Sequence, residues 1–147
     1  MSLLKRSYLL DLVFKQFTCP NNVWSIFEFN SSLQLSGIVD KLMEPIKSKK
    51  KIYLTKLGLH EALVNAAIHG NHLDPCKIIR VRRIVTPKWC VWQIQDQGNG
   101  MDYKNRSFKL PSKVDSIHGR GLFIIHECFD DVRWSQKGNR LQLALKR

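Results

Sequence analysis

Three short stretches of the chain hold residues whose types and spacing could do chemistry. The first, Glu61-Ala-Leu-Val-Asn65-Ala-Ala-Ile-His69-Gly70, sets a carboxylate and an amide four residues apart, with His69 one turn further on. On a helix that spacing puts the side chains on one face. A carboxylate and an amide oxygen so placed can hold a hard cation and orient a nucleophile, because Mg²⁺ takes oxygen ligands and keeps several waters. The second stretch, Asp96-Gln97-Gly98-Asn99-Gly100, directly follows a β-like run. An Asp at a strand end can accept a hydrogen bond from an exocyclic amine, while glycine lets backbone approach a ring or a phosphate. The third, His118-Gly119-Arg120-Gly121-Leu122, opens a helical pattern. N–H groups at a helix start and the positive end of its dipole favour an anion, and Arg120 adds a fork of donors.

Each stretch is weak alone. A Glu and an Asn one turn apart commonly share a solvated helix face, Asp-x-Gly-x-Gly also makes ordinary turns, and Gly-x-Gly opens helices that bind nothing. What joins them is the set of elements that must position them.

Ile52 to Asn71 lacks proline and carries Leu59, Leu63, Ala66 and Ala67, which predicts a long helix whose apolar face lies roughly opposite Glu61 and Asn65. His69-Gly70-Asn71 would close it in left-handed geometry. Upstream, Trp24 to Phe29 reads as a strand, and Asn30-Ser31-Ser32 offers N-caps to a helix bearing Leu33, Leu35, Ile38, Val39, Leu42 and Met43. Lys77 to Val85 and Trp89 to Gln95 read as a hairpin around Thr86-Pro87-Lys88, with Cys90, Trp92, Ile94 and Asp96 on one strand face. Met101 to His118 is a long loop made basic by Lys104, Arg106, Lys109 and Lys113, and loops of that length are commonly functional. Gly121 to Phe129 is helical in spacing, and a last hairpin joins Val132–Trp134 to Leu141–Leu145 around Lys137-Gly138-Asn139. Leu3, Leu4, Leu10, Val13, Phe14 and Phe17 predict a short amphipathic helix ending before Cys19-Pro20. The order of elements implies an α+β two-layer sandwich.

Composition bounds the partners. The chain has 147 residues, the size of one domain, and its apolar fraction of 44% argues against disorder. Lys and Arg outnumber Asp and Glu by 24 to 12, so a charge of +12 favours acidic partners: nucleotide, nucleic acid or acidic protein. Lys47 to Lys51 reads as a solvated run, and without a groove-reading motif nucleic acid is the weaker candidate. The four cysteines show neither a C-x-x-C pair nor zinc spacing and are expected reduced and buried. Asp11 interrupts the Tyr8–Phe14 stretch, so no signal peptide is read, and no apolar run spans a membrane. A cytoplasmic protein is the expectation. His60-Glu61 would need a second His where Val64 stands, which rejects a zincin, and no P-loop motif occurs.

Taken in order, helix E-x-x-x-N, strand-end D-x-G-x-G, basic loop and helix-opening G-x-G resemble the GHKL ATPase superfamily from about Val23 onward. That resemblance implies the Bergerat fold, in which ATP lies between a helix layer and a mixed, mostly antiparallel sheet under a lid. It divides the chain into an extension, residues 1–22, and an ATP-binding kinase domain, residues 23–147. The E-A-x-x-N-A-x-x-H-G helix and compact lid are most similar to the anti-sigma-factor serine/threonine kinases of bacterial partner-switching systems. By that resemblance Asn65 would ligate Mg²⁺, Asp96 would read the adenine amine, and Gly98 and Gly100 would shape the adenine pocket and lid hinge. Gly119, Arg120 and Gly121 would face the phosphates. Glu61 would be the general base for a serine hydroxyl of a protein substrate. The implied partners are ATP or ADP, a sigma factor, an anti-anti-sigma antagonist and a second copy of the chain. A non-catalytic module, gripping a protein or nucleic acid through nucleotide or its basic surface, is the alternative.

Overall fold

The computed structural model of the chain describes residues 24–102 and 120–147. Within them the β-branched and aromatic runs form β1 (Ser25–Asn30), β2 (Ile78–Val85), β3 (Trp89–Gln95), β4 (Asp131–Trp134) and β5 (Arg140–Lys146). The runs of helical period form α1 (Ser36–Met43), α2 (Lys49–Asn65) and α3 (Arg120–Cys128), and α2 continues as a π-helical turn over Ala66–Gly70. The strands lie in the order β1-β2-β3-β5-β4, antiparallel at each of the four pairings. This is the α+β sandwich the sequence predicts, with the sheet antiparallel throughout the described residues. The N-terminal helix, most of the basic loop and Gly119 lie outside those residues.

Period-two alternation decides which side chains meet the helices. Ile79 and Val81 of β2, Cys90, Trp92 and Ile94 of β3, and Leu141, Leu143 and Leu145 of β5 form one core with Leu59 and Leu63 of α2 and Leu122 and Ile125 of α3. Trp92 is fully buried, sits edge-on to Phe129 with ring centroids 5.9 Å apart, and donates its indole N–H to the Leu42 carbonyl at 3.1 Å. Arg83 reaches from β2 to donate at 2.7 Å to the Lys41 carbonyl, which also accepts from the Glu44 N–H at 3.4 Å, so the last turn of α1 is tied to the sheet.

Helix ends depart from the sequence reading. Helix α2 begins at Lys49, three residues before Ile52, so the lysine run is partly its first turn. Lysines there oppose the helix dipole, and tertiary contact overrides that preference: the Lys51 ammonium donates to the Lys146 carbonyl at 2.6 Å. Neither Ser31 nor Ser32 caps α1, whose N-cap is Leu35 without a side-chain bond. Ser32 instead accepts from the Gln34 N–H at 3.0 Å, and buried Ser31 donates to the Ala67 carbonyl. Nor do Gly70 and Asn71 turn left-handed. Asn71 keeps φ −89°, and His72 (φ 55°) and Leu73 (φ 56°) make the turn. The four-cysteine expectation holds for Cys90 and Cys128, which are buried, but Cys76 is exposed; all three are free thiols. Burial pushes the Cys90 thiol up to about 12. No helix among the described residues is long and apolar enough to cross a membrane.

Candidate functional site

Where α2 gives way to the π turn, the helix widens, a device found often at functional sites. Along this stretch Asn65, His69 and Gly70 face Asp96 and Met101 across a cleft of about 690 Å³, open mouth included. Concave sites with apolar walls and a few convergent polar groups are where small organic ligands and cofactors bind. Ile94, Leu122, Trp134 and Leu141 supply the cleft's apolar walls.

The Asp96 end is tied down by short contacts. The Asp96 carboxylate, half-buried, accepts from the Gly98 N–H at 2.7 Å. A Cβ on Gly70 would overlap that carboxylate, and one on Gly98 would overlap the Gly70 carbonyl. Glycine is needed here for close approach, since neither position has a positive φ. Burial holds the Asp96 carboxyl above its ordinary value, and the Gly98 N–H, Lys137 and Lys77 pull it partly back.

One residue of this end escaped the sequence reading. Asn71, fully buried, accepts from the Gln97 N–H at 2.8 Å and donates to the Ile78 carbonyl at 3.0 Å. Gln97 in turn accepts from the Ile78 N–H at 2.7 Å. The end of the π turn, the start of β2 and the Asp96 loop are thereby locked together. The sequence marked Asn71 only as a helix stop, and its polar side chain one position beyond the E-x-x-x-N-x-x-x-H-G run was the available signal.

Gly100 does require its conformation, with φ +90°, and faces Gly138, with φ +79°. A Cβ on Gly100 would strike the Lys137 carbonyl, one on Gly138 would strike the Met101 carbonyl, and the Met101 N–H donates to Gly138 at 3.2 Å. The β4–β5 turn thus fixes where the basic loop leaves the sheet. The sequence marks Gly138 as a hairpin residue, and in the structure it also lines the cleft beside Gly100.

At the other end, α2 and α3 approach closely because residue 58 is glycine: a Cβ there would lie 2.6 Å from the Phe129 ring and 2.7 Å from Cys128 Cβ. That approach brings the start of α3 to Glu61 and Asn65. A Cβ on Gly121 would meet Glu61 Oε2 at 3.0 Å and the Asn65 amide at 3.5–3.6 Å. Gly121 and Asn65 line the cleft, Glu61 stands beside Gly121 at its rim, and Arg120 is exposed as the first residue of α3.

Asn65, Asp96, Gly100 and Gly121 therefore share one cleft, with Gly98 behind Asp96 and Glu61 next to Gly121. An acceptor over an apolar floor at one end and glycine at a helix N-terminus at the other fit a purine and a phosphate chain respectively. The described residues hold no group of three His, Cys, Asp or Glu able to cage a metal. Mg²⁺ in nucleotide sites needs only one or two protein oxygens besides phosphate and water, and Asn65 beside Glu61 meets that need.

No curated protein sequence matches the chain significantly. A family model described as the histidine kinase-like ATPase domain matches residues 44–145, a span running from the end of α1 to β5 that includes every described residue of the cleft. With that span well over half of the sequence, the chain belongs to the histidine kinase-like ATPase domain family.

Proposed function

We propose that this ATPase-type domain is an ATP-dependent serine/threonine protein kinase of the anti-sigma-factor kind, which phosphorylates a protein antagonist and sequesters a sigma factor. The observation that carries it is the meeting of Glu61, Asn65 and Gly121 at one end of a cleft whose other end is Asp96. In this reading Asp96 accepts from the adenine amine, with Gly98 and Gly70 letting the ring lie close. Gly100 sets the hinge of the lid. The N–H groups at the start of α3, with Gly119, Arg120 and Gly121, hold the phosphates. Asn65 supplies an amide oxygen to Mg²⁺, which when bound neutralises phosphate charge. Glu61 accepts the proton of the attacking serine hydroxyl, a role open to a carboxylate within hydrogen-bond reach.

Calorimetric titration with Mg-ATP tests the binding half: saturable heat that Asp96→Asn weakens is expected, and no heat at millimolar ligand would overturn the site. Transfer of labelled γ-phosphate to a serine of a protein captured from the native cell tests the kinase half. The charge of +12 favours the second reading, a non-catalytic module that grips an acidic partner. ATP binding without transfer to any captured protein would establish it in place of the kinase.

A further inference from the structure

Helix α2 is apolar on two sides. Thr55, Gly58, Leu59, Ala62 and Leu63 form its buried face. Tyr53 and Leu54 stay 74% and 51% exposed. Neither they nor the half-buried Leu57 belongs to the main core or to the second apolar cluster, which Ile84, Trp89, Val91 and Ala144 form on the far face of the sheet. Tyr53, Leu57, His60 and Val64 recur at i, i+4, i+7 and i+11, so they lie along one line of the helix. Single exposed apolar side chains are ordinary, whereas a continuous apolar stripe marks a surface that meets something.

Charge along this line is one-sided. The first turn of α2 carries Lys49, Lys50 and Lys51 and no acidic residue, against the direction that the helix dipole favours. Lys51 is answered by the Lys146 carbonyl, and Lys56, on the flank toward α1, by Asp40 at 2.7 Å. Lys49 and Lys50 are exposed and have no carboxylate partner among the described residues. The stripe therefore has a positive end, which carboxylates of a partner would neutralise. Toward its other end stands Glu61, about 12 Å from Tyr53 at about 1.5 Å per residue, and Glu61 is at the rim of the nucleotide cleft beside Gly121.

We propose that this face of α2 docks an acidic amphipathic helix of a protein partner; on the kinase reading above, on which this part rests, that partner is the protein substrate. Its apolar side chains meet Tyr53, Leu54 and Leu57, its carboxylates meet Lys49 and Lys50, and its serine lies about two turns further along, at Glu61. The docking surface thus runs without a break into the mouth where the hydroxyl is activated. A second copy of the chain is a poorer occupant, because it brings a charge of +12 of its own.

Panning a displayed library of random peptides against the wild-type protein, with counter-selection on the Tyr53→Ser/Leu54→Ser variant, tests this. Peptides with Asp or Glu beside apolar residues at helical spacing are expected to be enriched. Labelled with fluorescein, they should bind that variant at least about 10-fold more weakly. Lys49→Glu/Lys50→Glu should weaken them too, most at low salt, and both variants should unfold at the wild-type midpoint. Absence of enrichment, enrichment without acidic residues, or unchanged affinity in Tyr53→Ser/Leu54→Ser would overturn the surface. So would a dimer of the free protein that this variant dissociates in sedimentation, or binding to phosphatidylserine vesicles that it abolishes. The kinase reading is judged apart: selected serine-bearing peptides that dock yet take no labelled phosphate from Mg-ATP would sink the kinase and leave the docking surface standing.

Discussion

The two ends of the cleft are built by different means. At the Asp96 end, side chain and backbone are held by hydrogen bonds of 2.7–3.0 Å from Gly98, Gln97 and Asn71, with Gly70 and Gly98 packed on each other. At the Glu61 end, position comes from the approach of two helices through Gly58 and from one glycine, Gly121. A polar network fixes a group to fractions of an ångström and loses much when one member goes. Helix packing fixes an axis and leaves side chains free to swing. A ligand reader belongs at the first end and a group that must meet an incoming hydroxyl at the second.

If the ends are that independent, they can be broken separately. Glu61→Ala should lower phosphotransfer by about 10²- to 10⁴-fold, the usual contribution of a general base, and leave Mg-ATP affinity nearly unchanged. Single-turnover transfer measured beside calorimetry checks this, and equal losses in both would merge the two ends. Asp96→Asn should do the reverse. Losing a hydrogen bond to a charged group, about 1.5–3 kcal/mol, weakens affinity by roughly 10- to 100-fold, with transfer at saturating ATP little altered.

A smaller effect sharpens the comparison from within the Asp96 end. Asn71→Ala strands the Gln97 N–H and the Ile78 carbonyl, each worth about 1–3 kcal/mol when buried without a partner. Denaturant unfolding should show that loss, and ATP affinity should fall by less than in Asp96→Asn, because Asp96 keeps its bond from Gly98. An affinity equal to the wild type would mean that Asn71 braces the fold without positioning the loop.

Local rules made much of this legible in the sequence. Alternation in Cys90, Trp92 and Ile94 placed Asp96 at the end of a buried strand face, and a four-residue spacing placed Glu61 beside Asn65. The strands fell within a residue or so of their expected bounds because the β-branched and aromatic runs ended at turn-forming residues, Asn30-Ser31, Thr86-Pro87 and Asp96 among them. What stayed hidden depends on pairs distant in sequence. That Gly70 must lack a side chain because of Asp96, or Gly138 because of Met101, cannot be seen from either stretch alone. The π turn keeps the helical spacing pattern while changing its phase, so Asn71 read as a stop. The second apolar cluster was concealed likewise, since Val91 and Ala144 gain meaning only once the register makes them neighbours.

The smallest expected effect is also the most specific to a buried carboxylate. Burial holds Asp96 above the ordinary 3.8, so between that value and the raised one the folded protein binds a proton that the unfolded chain has not yet taken up. Stability through this group therefore rises as pH falls across that window, because the native state relieves a desolvated charge there. Affinity runs the other way: protonated Asp96 is a poorer acceptor for an amine, so ATP binding weakens over the same window. Asn at position 96 cannot titrate. The difference between wild type and Asp96→Asn, followed by unfolding and by nucleotide titration as pH is lowered, should move in opposite directions in the two measurements. Equal slopes in wild type and variant would show that the carboxylate neither carries the buried charge nor receives the ligand.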